Sequence, residues 1–322
     1  MEQYLLQVEG LKTYFFTQRG IMKAVDGVSF RLSQGETLGL VGESGCGKSV
    51  TALSILRLVP RPAGKIVEGK VIFEGEDLLR KSEKEMRMVR GRKISMILQD
   101  PMSALNPVFS IGDQLVEAIA AHQKDNRQTR WDRSKEILRR VRIPSPEVRM
   151  GQYPHQLSGG TRQRVVGAIA VSCEPKLLIA DEPTTSLDLT IQAQYLALLN
   201  EIQTQTKAAM LFITHDFGIV ANMCQRVAVM YAGKIVEMAS VRELFDHPLH
   251  PYSVALMKSV PKMEDEAKRP YCIKGSPPSL DNLPRGCSFA PRCESARDRC
   301  GELAPSLRQL DMDHSVSCLL YD

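Results

Sequence analysis

Short apolar runs alternate with longer amphipathic stretches along this chain. Runs rich in aliphatic and β-branched residues predict buried strands, and they occur at residues 4–8, 25–32, 36–41, 69–75, 93–98, 176–180 and 209–214. Stretches with helical spacing predict helices at residues 50–58, 82–90, 111–141 and 189–203, and Ser82 and Glu85 have the spacing of a capping box. Residues 226–237 predict a hairpin that turns at Ala232 and Gly233. Because strands and helices alternate at this spacing, we expect an α/β fold with a mostly parallel sheet.

The same pattern suggests how the chain is divided. A charged helical stretch around residues 127–140 predicts a helical subdomain inserted at about residues 100–172, which Pro144 and Pro146 then interrupt. The composition shifts after Pro248, and the prolines of residues 261–286 predict a linker to a small tail. We therefore expect a core domain at residues 1–245 and a C-terminal extension at residues 246–322.

Composition narrows the class of protein. Charged residues make up 25% and hydrophobic residues 43% of the 322 positions, which is typical of a globular protein. The net charge of +5 is too small and too dispersed to indicate nucleic acid as a partner. No apolar run approaches the length of a transmembrane helix, and the first ten residues, with Glu2 and Glu9, do not resemble a signal peptide. We expect a cytosolic protein whose membrane role, if any, depends on a partner.

A glycine-rich loop at residues 42–49 carries the clearest chemical signal. It has the pattern G-x-x-x-x-G-K-S between the strand at 36–41 and the helix that begins near Val50, which is the context of a phosphate-binding loop. Glycines allow the backbone N–H groups to surround an anion, and the helix N-terminus adds its dipole. The residues predicted to bind phosphate or Mg²⁺ are Gly42, Ser44, Gly45, Cys46, Gly47, Lys48, Ser49 and Val50. The alternative is an ordinary glycine-rich turn with an exposed lysine.

Four further features lie downstream. Asp181 ends the strand at 176–180, where its carboxylate is placed to hold Mg²⁺, and the adjacent Glu182 is placed to orient or deprotonate a water. Ser158, Gly159 and Gly160 begin a helix and predict a second anion site. Gln99 and His215 each follow an apolar strand. Each feature has an alternative when it is taken singly. The acidic pair is also typical of solvated carboxylates at a strand end, Ser158 of a helix N-cap, and Gln99 and His215 of structural polar residues.

Taken in chain order, these motifs resemble those of the ABC-type ATPase family, and the resemblance covers residues 4–240. The resemblance implies a P-loop NTPase core with an N-terminal antiparallel β subdomain, ATP and Mg²⁺ as ligands, and catalytic roles for Glu182, His215 and Gln99. Residues 42–49 match Walker A, Gln99 the Q-loop, residues 157–164 the signature motif, residues 177–182 Walker B and residues 185–188 the D-loop with Asp188. Mg²⁺ is then expected at Ser49, Gln99 and Asp181. Thr161 departs mildly from the signature pattern, in which a larger polar residue or Met is common.

The family resemblance also implies a nucleotide sandwich. ATP on the Walker A loop of one subunit would be covered by Ser158, Gly159 and Gly160 of another subunit, which would exclude water from the phosphates. An aromatic residue near the N-terminus would stack on adenine. Phe15 fits that position best and Tyr14 next, and the alternative is that either ring only packs in the core.

Within the ABC family, this chain resembles the oligopeptide/dipeptide importer ATPases. The resemblance rests on Q-D-P-M-S-A-L-N-P at residues 99–107, D-E-P-T-T at 181–185 and H-P-Y-S at 250–253. It implies a peripheral subunit at the cytoplasmic face of the membrane. The implied partners are two permeases, an extracytoplasmic peptide-binding protein and a second, related but non-identical ATPase, and nucleic acid is not among them. The alternatives are a nickel or metal-chelate importer, a non-transport ABC ATPase and an inactive scaffold.

Four cysteines crowd into the tail with the spacing C-x5-C-x6-C-x17-C, at Cys287, Cys293, Cys300 and Cys318. In a reducing cytosol such a group is more typical of a metal site than of disulfides. The spacing lacks the C-x2-4-C pairs of common zinc sites, and the resemblance to dipeptide-type ATPases implies a 4Fe–4S cluster. Zn²⁺ and unliganded thiols stay as alternatives. The other cysteines, whose thiols are expected to be structural or incidental, are Cys46, Cys173, Cys224 and Cys272.

Overall fold

The computed structural model describes residues 4–185, 187–260, 271–311 and 313–322, apart from the side chains of Pro101 and Met102. Its strands and helices follow in chain order as β1 (Leu6–Thr17), β2 (Gly20–Leu32), β3 (Thr37–Val41), α1 (Lys48–Ile55), β4 (Gly64–Phe73), β5 (Glu76–Asp77), α2 (Glu83–Val89), β6 (Ile94–Ile97), α3 (Pro101–Ala104), α4 (Ile111–Ala120), α5 (Arg127–Arg140), α6 (Pro146–Arg149), α7 (Gly159–Val171), β7 (Leu177–Asp181), α8 (Leu189–Thr206), β8 (Ala209–Thr214), α9 (Phe217–Met223), β9 (Arg226–Tyr231), β10 (Lys234–Ser240), α10 (Val241–Asp246), α11 (Pro251–Ser259), α12 (Asp298–Glu302), β11 (Arg308–Asp311) and β12 (His314–Val316).

The chain separates into two compact units, each of which is built from more than one stretch of sequence. The first unit takes its described residues from 1–32, 37–79 and 213–322. The second takes its residues from 33–36 and 80–212. The helical stretch that the sequence predicted as an insertion lies in the second unit.

One sheet of the first unit is antiparallel, with strand order β2-β1-β4-β5. Its β1–β2 hairpin is longer than the predicted strands at 4–8 and 25–32, because the pairing continues to Thr17 and Gly20. The register shifts between Val8 and Leu11 and again between Thr13 and Phe15. Each shift changes which side chains face the core, so the alternation that identifies a strand is interrupted. The N-terminal antiparallel subdomain is confirmed.

The other sheet of the first unit has strand order β11-β12-β10-β9-β3. β3 is buried along its whole length and pairs in parallel with β9. The predicted hairpin is confirmed, since Tyr231 pairs with Lys234 across a turn in which Ala232 and Gly233 both have positive φ. Two such residues in succession match the twist of the flanking strands.

The residues after 270, which we call the C-terminal segment, are part of this sheet. β12 pairs antiparallel with β10, and His314 Nε2 lies 2.7 Å from an oxygen of Glu237, whose side chain is fully buried. The same carboxylate accepts hydrogen bonds from the backbone N–H groups of Leu249 and His250. These partners offset the cost of burying the carboxylate. Residues 261–270 of the predicted linker lie outside the described residues, and residues 271–286 contain neither helix nor strand.

The second unit contains the strands β8, β7 and β6 in that order, of which β6 and β7 pair in parallel. The helix predicted at 111–141 is instead two helices, α4 and α5, because the Asn126 side chain accepts a hydrogen bond from Thr129 N and begins a new helix. The predicted capping box of α2 is confirmed, with Ser82 Oγ and the Glu85 carboxylate each bonded to the other's backbone N–H. Across the described ranges, we find no helix with the length and apolarity that crossing a bilayer requires.

Candidate functional site

The loop at residues 42–49 joins β3 to α1, and its glycines have backbone angles that other residues rarely adopt. Gly42 has φ of 152° and Gly47 has φ of 108°. A Cβ on Gly42 would lie 2.1 Å from Met230 O, and one on Gly47 would lie 2.0 Å from Ala24 O. Since backbone atoms cannot yield as a flexible side chain does, these two positions accept only glycine in this conformation.

The side chain of Lys48 places a positive charge inside the loop. Lys48 is 4% exposed, and its Nζ donates to Gly42 O at 2.7 Å and to Glu43 O at 3.1 Å. The N-cap of α1 is Gly47, which has no side chain to occupy the first N–H groups of the helix. The loop therefore combines a positive charge with the positive end of a helix, which is the arrangement that binds phosphate.

The other predicted contacts of this loop differ in exposure. Ser44 and Gly45 are exposed, while Ser49 and Val50, in the first turn of α1, are half-buried. Cys46 is buried, and burial raises the pKa of its thiol, so the side chain is neutral near pH 7. Its backbone N–H donates to Glu43 O at 3.3 Å, which closes a turn inside the loop.

Sequence analysis missed Glu43, although it lies inside the motif. Its carboxylate is bonded by Arg292 of the C-terminal segment at 2.7 and 3.0 Å, and its backbone N–H donates to the Tyr252 hydroxyl at 2.9 Å. The bond to Glu43 raises the pKa of the Arg292 guanidinium, which stays charged. Nothing in the motif spacing signals a partner that lies 249 residues away.

In the second unit, the structure brings together two predicted catalytic residues. Gln99, shortly after β6, donates from Nε2 to Glu182 Oε2 at 3.0 Å, and the Thr185 hydroxyl donates to the same oxygen at 3.0 Å. Asp181 ends β7 and is buried, whereas Glu182 is half-buried with φ of 43°. A strained backbone at such a position is typical of a functional residue. The hydroxyl of Thr185 is a further contact that the sequence did not single out.

The predicted second anion site is also in this unit. Ser158 is exposed and caps α7, with its Oγ accepting a hydrogen bond from Thr161 N at 3.3 Å. A Cβ on Gly159 would find no described atom within 4 Å, whereas one on Gly160 would lie 2.8 Å from Ile191 Cγ2. Gly159 thus leaves room for a ligand to approach the backbone, while Gly160 allows α7 to pack close to α8.

The other polar residues that the sequence singled out lie at the beginnings of helices or between elements. Asp188 is exposed and caps α8 through a 3.0 Å bond from Ile191 N. Gln163, which the sequence left without a role, is buried and donates to Pro183 O at 2.7 Å, so it fixes the segment after Glu182 to α7. His215 is exposed directly after β8.

Of the two candidates for an adenine-stacking ring, Tyr14 has other partners. Its hydroxyl donates to Asp26 Oδ1 at 2.6 Å, and burial together with this bond raises its pKa. Phe15 is half-buried beside Gly64, where a Cβ would lie 2.9 Å from Phe15 Cε1. Phe15 therefore stays the better prediction for a stacking residue.

The four clustered cysteines line one small cavity. Its volume is about 20 Å³, and His250, Phe289 and Leu319 are also in its wall. Burial raises the pKa of the thiols of Cys287, Cys293 and Cys318, so these are neutral near pH 7. In the described part of the chain, no three or more His, Cys, Asp or Glu side chains are grouped so that they could hold a metal ion. The metal site predicted at Cys287, Cys293, Cys300 and Cys318 is therefore not confirmed.

Two family models match the chain. The model described as ABC transporter matches residues 25–185, which include the glycine-rich loop and the Asp181–Glu182 pair. The model described as oligopeptide/dipeptide transporter, C-terminal region, matches residues 236–300, which include three of the four clustered cysteines.

Relatives match over nearly the whole chain. The probable peptide ABC transporter ATP-binding protein y4tR of Sinorhizobium fredii is 51% identical over 98% of this chain and 94% of its own. The oligopeptide transport ATP-binding protein AppD of Bacillus subtilis is 49% identical over 99% of this chain and 97% of its own. The dipeptide transport ATP-binding protein DppD of the same organism is 48% identical over 99% and 95%.

Solved structures share the fold. The ATP-binding cassette MJ0796, solved as a dimer in a post-hydrolysis state with ADP and Pi, covers 74% of this chain and 99% of its own with a TM-score of 0.66. At 23% identity, that likeness concerns the fold alone. The ABC transporter component cbiO1 of Clostridium perfringens has a TM-score of 0.65 and 28% identity over 76% of this chain and 92% of its own. The chain belongs to the ABC ATPases of the oligopeptide/dipeptide transporter family.

Proposed function

We propose that this chain binds and hydrolyses ATP to energise the import of di- or oligopeptides through separate membrane subunits. The proposal of ATP hydrolysis rests on the hydrogen bonds of Gln99 and Thr185 to Glu182, which follows the buried Asp181 at the end of β7. The peptide cargo is supported by the match to the C-terminal region of peptide transporters and by whole-chain relatives described as peptide transport proteins.

Each predicted site residue has a role in this proposal. Lys48 and the N–H groups of residues 44–50 bind the phosphates, and Phe15 stacks on adenine. Ser49, Gln99 and Asp181 would hold Mg²⁺, which neutralises phosphate charge when bound. Glu182 orients and deprotonates the attacking water, and His215 contacts the γ-phosphate. The Gln99 and Thr185 contacts restrict the Glu182 side chain, which favours one orientation of the water.

The assembly that we propose places the chain at the cytoplasmic face of the membrane with two permeases, an extracytoplasmic peptide-binding protein and a second, related ATPase. The segment at Ser158, Gly159 and Gly160 would cover ATP on the partner ATPase, and Asp188 would lie near the same junction. What supports this is the N-terminus of α7, where Ser158 and Gly159 are exposed and a Cβ on Gly159 would find no described atom within 4 Å.

Peptide-stimulated turnover tests the cargo. The chain is co-expressed with its permeases and second ATPase and reconstituted in liposomes with the binding protein loaded with a di- or oligopeptide. We expect ATP hydrolysis to rise and labelled peptide to accumulate inside. Stimulation by a nickel chelate and none by any peptide would instead identify a metal-chelate importer, and ATP hydrolysis with neither cargo would favour a non-transport ATPase.

A substitution at Gly47 tests the phosphate loop, and the same substitution at Gly151 is the comparison. We expect Gly47→Ala to weaken ATP binding by roughly 5- to 150-fold, because positive φ and the clash with Ala24 O together cost on the order of 1–3 kcal/mol. Gly151→Ala is the control, since its Cβ would lie 3.8 Å from Val148 O, an ordinary contact. Isothermal titration measures the affinity, and circular dichroism checks that both variants fold. Equal affinities would remove the loop from the nucleotide site.

We further propose that Cys287, Cys293, Cys300 and Cys318 hold a 4Fe–4S cluster. The support is the donor set, since four thiols and the apolar side chains of Phe289 and Leu319 line one cavity. Thiolates are the usual ligands of such clusters, which can transfer electrons or simply crosslink the chain. Zn²⁺ is the alternative ligand of the same thiols.

Anaerobic purification separates these alternatives. We expect a brown protein that contains iron and acid-labile sulfide at about four of each per chain, and Cys287→Ser should lose most of both. Cys272→Ser is the matched control because Cys272 is exposed and lies outside the cavity wall. A colourless protein with stoichiometric zinc would overturn the iron assignment, and a metal-free protein would leave the thiols unliganded.

A further inference from the structure

Arg292 connects the cysteine-rich part of the chain to the phosphate loop. Its Nη1 lies 2.7 Å from Glu43 Oε2 and its Nη2 lies 3.0 Å from Glu43 Oε1, so the two planar groups form two parallel hydrogen bonds. The Arg292 side chain is 5% exposed, and that of Glu43 is 26% exposed. Bidentate, partly desolvated pairs of this kind are stronger and better oriented than surface ion pairs.

The guanidinium is itself fixed on several sides. Its Nε donates to Lys274 O at 3.0 Å, and Nη1 donates to the Tyr231 hydroxyl at 3.3 Å. Its carbon lies 5.8 Å from the ring centre of Tyr231 and 6.0 Å from that of Phe289. Because both the N–H groups and the planar faces of the guanidinium have partners, the group is held in one orientation toward Glu43.

An aromatic cluster supports the same point of the loop. The rings of Tyr231, Tyr252 and Phe289 pack with centre distances of 4.6, 5.3 and 5.3 Å. The Tyr252 hydroxyl accepts the backbone N–H of Glu43 at 2.9 Å. Both the backbone and the side chain of Glu43 are therefore held by residues outside the loop.

The position of Glu43 explains why such a partner matters. It follows Gly42 directly, and its own carbonyl accepts a hydrogen bond from Lys48 Nζ at 3.1 Å. A carboxylate here lies close to the place where the triphosphate is expected, and like charges in a partly desolvated site repel strongly. Arg292 offsets that charge and turns the carboxylate toward the C-terminal segment.

We propose that Arg292 is a positioning residue for ATP binding: by pairing with Glu43 it neutralises and orients the phosphate loop, so the C-terminal segment supports nucleotide affinity. This inference rests on the proposed nucleotide site at residues 42–49. It assigns to the cysteine-rich segment an effect on the loop through the side-chain contact between Arg292 and Glu43.

A rescue experiment tests the charge argument. We expect Arg292→Gln to weaken MgATP binding about tenfold, because Glu43 is left without its counter-ion beside the phosphates. The double variant Glu43→Gln with Arg292→Gln removes both charges, and its affinity should return to within about threefold of the wild type. Arg292→Lys should lie in between, since lysine keeps the charge but cannot form both bonds. Arg285→Gln, an exposed arginine of the same segment, is the control and should bind as the wild type does.

The outcomes separate this inference from the proposed function. If the wild type itself binds no ATP, the nucleotide site is wrong. If the wild type binds ATP and Arg292→Gln binds equally well, the positioning role is wrong. If Arg292→Gln binds weakly and the double variant is no better, Arg292 acts through packing rather than charge, which also overturns the inference. Adenosine, which carries no phosphate, should bind all variants alike.

Discussion

Glu182→Gln will keep ATP binding and lose at least about two orders of magnitude of ATP hydrolysis, because a general base contributes about 10²–10⁴-fold to a rate. The glutamine retains the shape of the side chain, and its oxygen can still accept the Gln99 and Thr185 hydrogen bonds. It cannot take a proton from water. The expected result is therefore a loss in kcat with little change in ATP affinity, and a closed, ATP-bound pair of ATPases that accumulates.

The control for this substitution is Glu201→Gln. Glu201 lies on α8, where its carboxylate pairs with Arg142 at the surface, and such pairs contribute little. Phosphate release measures the rate and nucleotide titration the affinity for both variants. If Glu182→Gln turns over ATP as fast as Glu201→Gln does, Glu182 is not the general base.

Lys48→Ala is expected to abolish measurable ATP binding in the micromolar range. The ammonium is the charge enclosed by the loop, and charge-assisted hydrogen bonds are worth about 1.5–3 kcal/mol each, so losing two phosphate contacts costs about 100-fold or more in affinity. Its hydrogen bonds to Gly42 O and Glu43 O also hold the loop carbonyls, so loop order should fall as well. Hydrolysis then disappears because ATP no longer binds, which is the reverse of the Glu182→Gln result.

Lys70→Ala removes the same charge from an exposed position on β4 and is the matched control. Titration with a fluorescent ATP analogue gives both affinities, and thermal unfolding in buffer without nucleotide shows whether the fold survives. ATP affinity within twofold of the wild type in Lys48→Ala would exclude the loop as the phosphate site.

The sequence best predicted the features that depend on residues close to one another in the chain. The phosphate loop needs glycine, lysine and serine within eight positions where a strand leads into a helix. The structure places residues 42–47 between β3 and α1, and α1 begins at Lys48. The capping box at Ser82 and the turn at Ala232 and Gly233 are equally local. Such features were predicted correctly because few other conformations satisfy their hydrogen bonds.

Sequence was least informative where distant residues meet. The bond between Gln99 and Glu182 spans 83 residues, and the pair formed by Arg292 and Glu43 spans 249. Nothing local distinguishes these side chains from solvated ones. The full length of β1 was also missed, because the alternation of buried and less buried side chains breaks at the register shift between Val8 and Leu11. The cysteines are a different case: the structure places all four in one cavity wall, while the metal predicted for them stays a prediction.

The proposed mechanism requires ATP to be enclosed between two ATPase subunits, and photo-crosslinking tests this directly. A benzophenone amino acid is placed at the exposed His155, three residues before Ser158, in the Glu182→Gln form of the full transporter assembly. We predict an ATP-dependent crosslink to the glycine-rich loop of the partner ATPase, located by mass spectrometry, that is absent with ADP. Crosslinks confined to this chain, or equally strong without ATP, would contradict the account.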